Sequence, residues 1–138
     1  MRKFASVLLV AAILMSMIIP VSATENSIQP YYINTNQARV VMGINEDGLA
    51  EITVTCIGNS NATKIETVTY LERKVGSSWV RVNINQPNNQ WEESVNACYL
   101  LKNYSFDLSV TGTYRAVTVF TVSGSETETY TLYREATY

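Results

Sequence analysis

Two neighbouring segments of this chain alternate apolar and polar side chains with a period of two residues. Ala38, Val40, Met42 and Ile44 share one face of the first; Ala50, Ile52, Val54 and Cys56 share one face of the second, with Glu51, Thr53 and Thr55 opposite. A period of two is strand geometry, in which one face can be buried while the other meets water. Such a sheet must find a second apolar layer to cover its inner face. Asn45-Glu46-Asp47-Gly48 lies between the two segments, and Asp-Gly provides the turn chemistry of a tight hairpin.

The rest of the chain continues in the same style. Residues 64–74 are rich in Thr, Val, Ile and Tyr, but Ile65 and Leu71 fall on one parity and Val68 and Tyr70 on the other. That pattern predicts either a bulge or burial on both faces. Val75-Gly76-Ser77-Ser78 turns the chain and residues 79–84 return it, as in a hairpin. Residues 85–94, with Pro87, three asparagines and Trp91 alone among polar neighbours, have the composition of a loop. Further strand runs at 95–104, 114–122 and 126–138 bring the total to seven, and no long amphipathic helix competes with them after the first residues. The expected fold class is all-β, an antiparallel sandwich or barrel of about seven strands.

Ahead of this pattern, Met1-Arg2-Lys3 is basic and residues 4–19 are apolar apart from Ser6 and Ser16. Pro20 and Val21-Ser22-Ala23 follow. That order is the signature of a secretory signal peptide, here expected to be cut after Ala23. The alternative is a retained anchor, but the apolar stretch is shorter than the roughly 20 residues that span a bilayer. The expected organisation is a signal peptide at residues 1–23, a flexible leader at 24–36 and a β-sandwich domain at 37–138. A lipoprotein would need a cysteine at the cut, and the C-terminus has no apolar tail, so no membrane span is expected after cleavage. Removing the first 23 of 138 residues leaves 115, enough for one domain. It also takes the net charge from −2 to −4, which disfavours nucleic acid and anionic membrane as partners. The expected address is secreted or extracellular.

Cys56 and Cys98 are the only cysteines. In an exported chain a single Cys56–Cys98 disulfide is the economical reading, and two thiols acting as small apolar residues are the alternative.

Thr111-Gly112-Thr113-Tyr114, followed by Arg115-Ala116, resembles the start of strand F in immunoglobulin-like domains, where a tyrosine hydroxyl packs back on the corner. Cys56 resembles the strand-B cysteine of that family. Its strand-F partner would fall at Ala116, and the buried strand-C tryptophan has no match in residues 64–74. The resemblance therefore implies an immunoglobulin-like architecture without the usual inter-sheet bridge. Were Cys98 on strand E, a bridge to Cys56 would join adjacent strands. A second likeness covers nearly all of the mature chain. Leu71-Glu72-Arg73-Lys74-Val75-Gly76-Ser77-Ser78-Trp79, Gly112-Thr113-Tyr114-Arg115 and a Ser-Glu-Thr run into a terminal Thr-Tyr look like the signatures of small exported β-sandwich proteins of Gram-positive bacteria. The domain of that family has no assigned function. The likeness implies a sandwich and an extracellular address and brings no catalytic residue.

The chain contains no histidine, which removes the commonest general base and metal ligand and excludes Ser-His-Asp and Cys-His chemistry. Paired carboxylates could still serve a glycosidase, and Glu92-Glu93, Asp107 and Glu46-Asp47 are the candidates. None belongs to a motif that fixes a partner's distance, so a solvated loop and turn account for them. Residues 45–48 likewise lack the alternating oxygen ligands of a calcium loop. No catalytic residue, cofactor or metal is expected.

Nine tyrosines and two tryptophans offer flat faces on which sugar rings could stack. Trp91 is the candidate ligand contact, its alternative being a lid folded over the sandwich edge. Trp79 is expected in packing and Tyr114 at the corner. A corner at Tyr114 also turns Val117 and Val119 outward, forming either a partner surface or a patch covered by Tyr130 and Arg115. The expected function is non-enzymatic binding by a secreted or cell-surface protein, to a surface protein or to its own kind. A carbohydrate-binding module using exposed aromatics is the alternative.

Overall fold

The computed structural model describes residues 32–138. The expected signal peptide and most of the expected leader lie outside the described residues. The chain forms β1 (Thr35–Ile44), β2 (Leu49–Gly58), β3 (Lys64–Val75), β4 (Ser78–Arg81), β5 (Trp91–Val95), β6 (Tyr99–Asp107), β7 (Thr113–Ser123) and β8 (Thr127–Thr137). Every pairing is antiparallel. One sheet runs β1-β2-β6 and the other β4-β3-β7-β8, with β5 also pairing β3. In immunoglobulin lettering these orders correspond to A-B-E and C′-C-F-G.

The alternation that opens the sequence sets the first hairpin. Ala38 faces Cys56, Val40 faces Val54 and Met42 faces Ile52 across the β1–β2 ladder. Its turn is held by the Asn45 side chain, whose Oδ1 accepts the N–H groups of Asp47 (3.1 Å) and Leu49 (2.8 Å). Gly48 takes φ +86°, which a side chain would strain. The inward faces of both sheets meet in a core containing Ile52, Val54, Cys56 and Leu100 from one layer and Ile65, Leu71, Ala116, Phe120 and Val122 from the other. Each large apolar side chain buried there contributes about 1.5–3 kcal/mol relative to exposure.

β3 resolves the two-parity pattern by burial on both faces, not by a bulge, since its register with β7 runs unbroken from Lys64 to Arg73. Ile65, Thr67, Thr69 and Leu71 point inward and are buried, while Val68 and Tyr70 lie half-buried on the outer face. Thr69 and Thr118 sit in the core hydrogen-bonded to each other at 3.0 Å, whereas the Thr67 hydroxyl is buried without a partner.

Three expectations change. The domain begins earlier than residue 37: β1 starts at Thr35, and Asn34 is wholly buried, its amide donating to the Glu126 carbonyl at 2.8 Å. Among the described residues there are eight strands, in keeping with the expected sandwich of about seven, but β5 comes from the polar stretch expected to be a loop. Finally, Cys56 and Cys98 are both free thiols. The β2–β6 register sets Leu100, not Cys98, opposite Cys56. Cys56 points into the core, whereas Cys98 lies exposed in the bend just before β6.

Candidate functional site

β3 pairs β7 along one edge, so β4 and β5 share its other edge, β5 along Ile65–Thr69 and β4 along Glu72–Val75. Facing them is β6 of the opposite sheet. In the β5 half this side seam is closed. Trp91 stacks on Tyr104 of β6 with centroids 4.8 Å apart and planes 11° from parallel, and Lys102 pairs with Glu93 at 2.8 Å. The Tyr104 hydroxyl is buried near that of Thr67 without completing a hydrogen bond. Burial, followed by the negative charge of Glu93, pushes the Tyr104 phenol up to about 12.

In the β4 half the seam is open. A cleft of about 310 Å³ lies there, walled by Val75, Val80 and Val82 on one side and Phe106, Leu108 and Val110 on the other. Three of these walls are far more exposed than core residues, Val80 at 50 % and Val75 and Val110 at 46 % each. Tyr114 floors the cleft and its hydroxyl donates to the Val110 carbonyl, so the expected tyrosine corner also fixes one wall. Arg73 lines the cleft between its cross-strand neighbours Val80 and Tyr114, and no carboxylate pairs with it among the described residues.

The residues singled out from sequence fall elsewhere. Trp91 commits a face to Tyr104 and packs against the core, which is the lid alternative, although its rim lines a second shallow pocket with Pro87, Gln90 and Glu92. Val117 and Val119 do point outward, but Val117 is only 5 % exposed and Val119 half-buried, so they do not form an open apolar patch. Val117 is flanked in register by Tyr70 and Tyr133. Arg115 does belong to the cover, lying 4.3 Å from the Trp79 ring centroid and 5.5 Å from that of Tyr133 while Glu72 accepts from its Nε at 2.6 Å. Tyr130 does not belong there, since it points inward and stacks on Phe120.

Glu92 and Glu93 alternate along β5, so they face opposite sides of the sheet. Asp107 closes β6 exposed, and Glu46 and Asp47 sit in the first turn. Among the described residues no group of three His, Cys, Asp or Glu side chains is placed to hold a metal.

At the other side of the sandwich a polar clamp ties the start of β1 to β8. The Glu128 carboxylate accepts the backbone N–H of Ile33 (2.6 Å) and Asn34 (3.1 Å) and the Thr35 hydroxyl (2.6 Å). Tyr130 in turn donates to Thr35 at 3.1 Å, with the Cys56 sulfur 3.7 Å from its hydroxyl. Burial raises both the Tyr130 phenol and the Cys56 thiol, which keeps this thiol protonated and unreactive.

The cleft went unnoticed in the sequence because its walls come from three separate segments. The local signals are Leu108 and Val110, two apolar residues in the short connection after β6. No protein-family model, curated protein or solved structure matches this chain.

Proposed function

We propose that this protein is a non-enzymatic, exported β-sandwich that binds a protein partner at the open half of its side seam. One observation carries the reading: half-exposed valines from the end of β3, from β4 and from the connection after β6 gather around a single cleft together with Arg73. Apolar side chains concentrated on one concave surface mark interaction sites, whereas scattered ones do not. The histidine-free sequence and the opposed directions of Glu92 and Glu93 favour binding over hydrolysis. The basic, apolar and small-residue order of residues 1–23 supports export, and kinship with the exported Gram-positive β-sandwich proteins belongs to the same proposal.

The carbohydrate alternative has weaker support. Trp91 gives a face to Tyr104, Arg81 sits 3.3 Å from the Tyr70 centroid, and Arg115 engages Trp79 and Tyr133. These rings have neighbours, and the most exposed tyrosines, Tyr99 at 50 % and Tyr133 at 60 %, stand on different sheets and form no common platform.

Val80→Asp tests the reading, because it places a carboxylate opposite Arg73 on a half-exposed edge position. The immobilised protein, exposed to the surface and secreted proteins of its own cell, should retain a partner that the variant loses. Equal retention by the two proteins, or no retained partner, would count against binding at this cleft.

A further inference from the structure

The open half of the seam has three properties that together specify an occupant. The first is a free backbone edge. β4 ends its sheet, pairing β3 on one side and no strand on the other among the described residues. An unpaired edge is a template for another extended segment. The second is shape. The walls at Val75, Val80 and Val110 stay about half exposed, so the groove is too open for the 70–90 % burial that small-molecule pockets typically provide. A chain laid along the groove, covering the valines from outside, matches it better.

The third is charge. This chain is acidic overall, with 12 acids against 10 bases, yet the charged side chains lining the cleft are two arginines, Arg73 and Arg81. Its neighbouring cations are otherwise engaged: the Arg81 guanidinium lies over Tyr70 and reaches Gln90 at 3.5 Å, Lys74 lies 5.8 Å from the Trp79 centroid, and Glu72 is held by Arg115. Arg73 and Arg81 both line the groove and neither pairs with a carboxylate among the described residues, but Arg81 is taken up by Tyr70 and Gln90, which leaves Arg73 as the cation without a partner there.

We infer that the open seam takes an extended polypeptide segment with an acidic side chain between two apolar ones, which adds as a strand to the free edge of β4 and pairs its carboxylate with Arg73. This rests on the binding reading above and names the chemistry of its partner. The alternation follows from strand geometry: every second side chain of the added segment turns toward Val80, Val82 and Arg73, and the intervening ones face water.

The probe is the capped heptapeptide acetyl-Thr-Val-Thr-Glu-Thr-Val-Thr-amide, which has no terminal charge, compared with its glutamine analogue. Both are titrated into the protein purified in the form its cell produces, and amide exchange is followed by NMR. The glutamate peptide should slow exchange at β4 amides at least about tenfold at saturation and bind about tenfold tighter than the glutamine peptide. Arg73→Gln should erase that preference. Equal affinity of the two peptides for the unmodified protein would overturn the Arg73 pairing without needing any variant. Binding that leaves β4 exchange unchanged would overturn strand addition, and no binding at millimolar peptide would overturn the ligand class. In that last case, a cellular partner still lost on Val80→Asp would leave the binding reading standing and remove only this assignment.

Discussion

β4 and β5 pair with the same edge of β3, yet only β5 closes the gap to the facing sheet. The difference is one of phase. Trp91 opposes the inward-facing Thr69 and therefore points into the seam, where Tyr104 meets it. Trp79 opposes the outward-facing Lys74 and therefore points away, leaving Val80 as the inward residue opposite Arg73. Because strand side chains alternate, a single-residue change of phase decides whether a tryptophan closes a seam or decorates a surface. One half of the seam is thus built for stability and the other left for contact. That division can be attacked directly.

The largest effect is expected at Trp91. Trp91→Ala removes the stacked pair and uncovers Tyr104, at a cost of about 2–4 kcal/mol by analogy with aromatic truncations in partly buried sites. Denaturant unfolding checks it. A loss below about 1 kcal/mol would mean that the β5 half is not a structural seal and that the contrast with the β4 half is false.

A smaller effect is expected from alkaline pH, shared between Tyr104 in the closed half and the raised Tyr130 and Cys56 of the polar clamp. The Tyr104 phenol is raised from its ordinary 10 to about 12, first by burial and then by Glu93. The folded state therefore favours the protonated form. The stabilisation is intact below pH 10 and is lost as pH rises toward and through 12. Thermal midpoints should fall across that window, and Tyr104→Phe should remove the share of the fall that belongs to Tyr104. Because the hydroxyl lacks a completed hydrogen bond, the same variant should be neutral or up to about 1 kcal/mol more stable near neutral pH. A fall of the same size in Tyr104→Phe would assign the alkaline loss to another group.

Much of this architecture was legible before the structure, and the exceptions share a cause. Period-two alternation located β1, β2 and their turn because each strand has one wet face. Tyr114 was legible because its corner is local, the hydroxyl reaching back only four residues to Val110. β5 was hidden because its sequence, Trp-Glu-Glu-Ser-Val, pairs with β3 only through long-range register and has polar residues at both parities. The disulfide was misread because compartment chemistry says nothing about geometry: a bend at residues 96–98 keeps Cys98 in solvent while Cys56 faces the core. The cleft was invisible for the same reason, since sequence patterns report faces of single strands and not the gap between two.

The Lys102–Glu93 pair sharpens the contrast at modest cost. Its side chains are 39 % and 27 % exposed, and ion pairs in such positions contribute at most about 1 kcal/mol. Lys102→Met should cost less than that in denaturant unfolding and become indistinguishable from the parent in high salt. A larger loss would show that charge, not the aromatic stack, seals the β5 half.

The smallest effect on stability is expected at the centre of the open half. Val80→Asp gives up a side chain that is already 50 % exposed, and the new carboxylate stands directly across the ladder from Arg73. Opposite charges facing each other on neighbouring strands recover about 0.2–1 kcal/mol, close to what the valine loses. Unfolding should therefore stay within about 0.5 kcal/mol of the parent, measured alongside Trp91→Ala. Near-neutral stability here, together with loss of the bound partner, is the combination that a surface kept for contact produces. A destabilisation approaching that of Trp91→Ala would instead make Val80 a core residue and the cleft a packing gap.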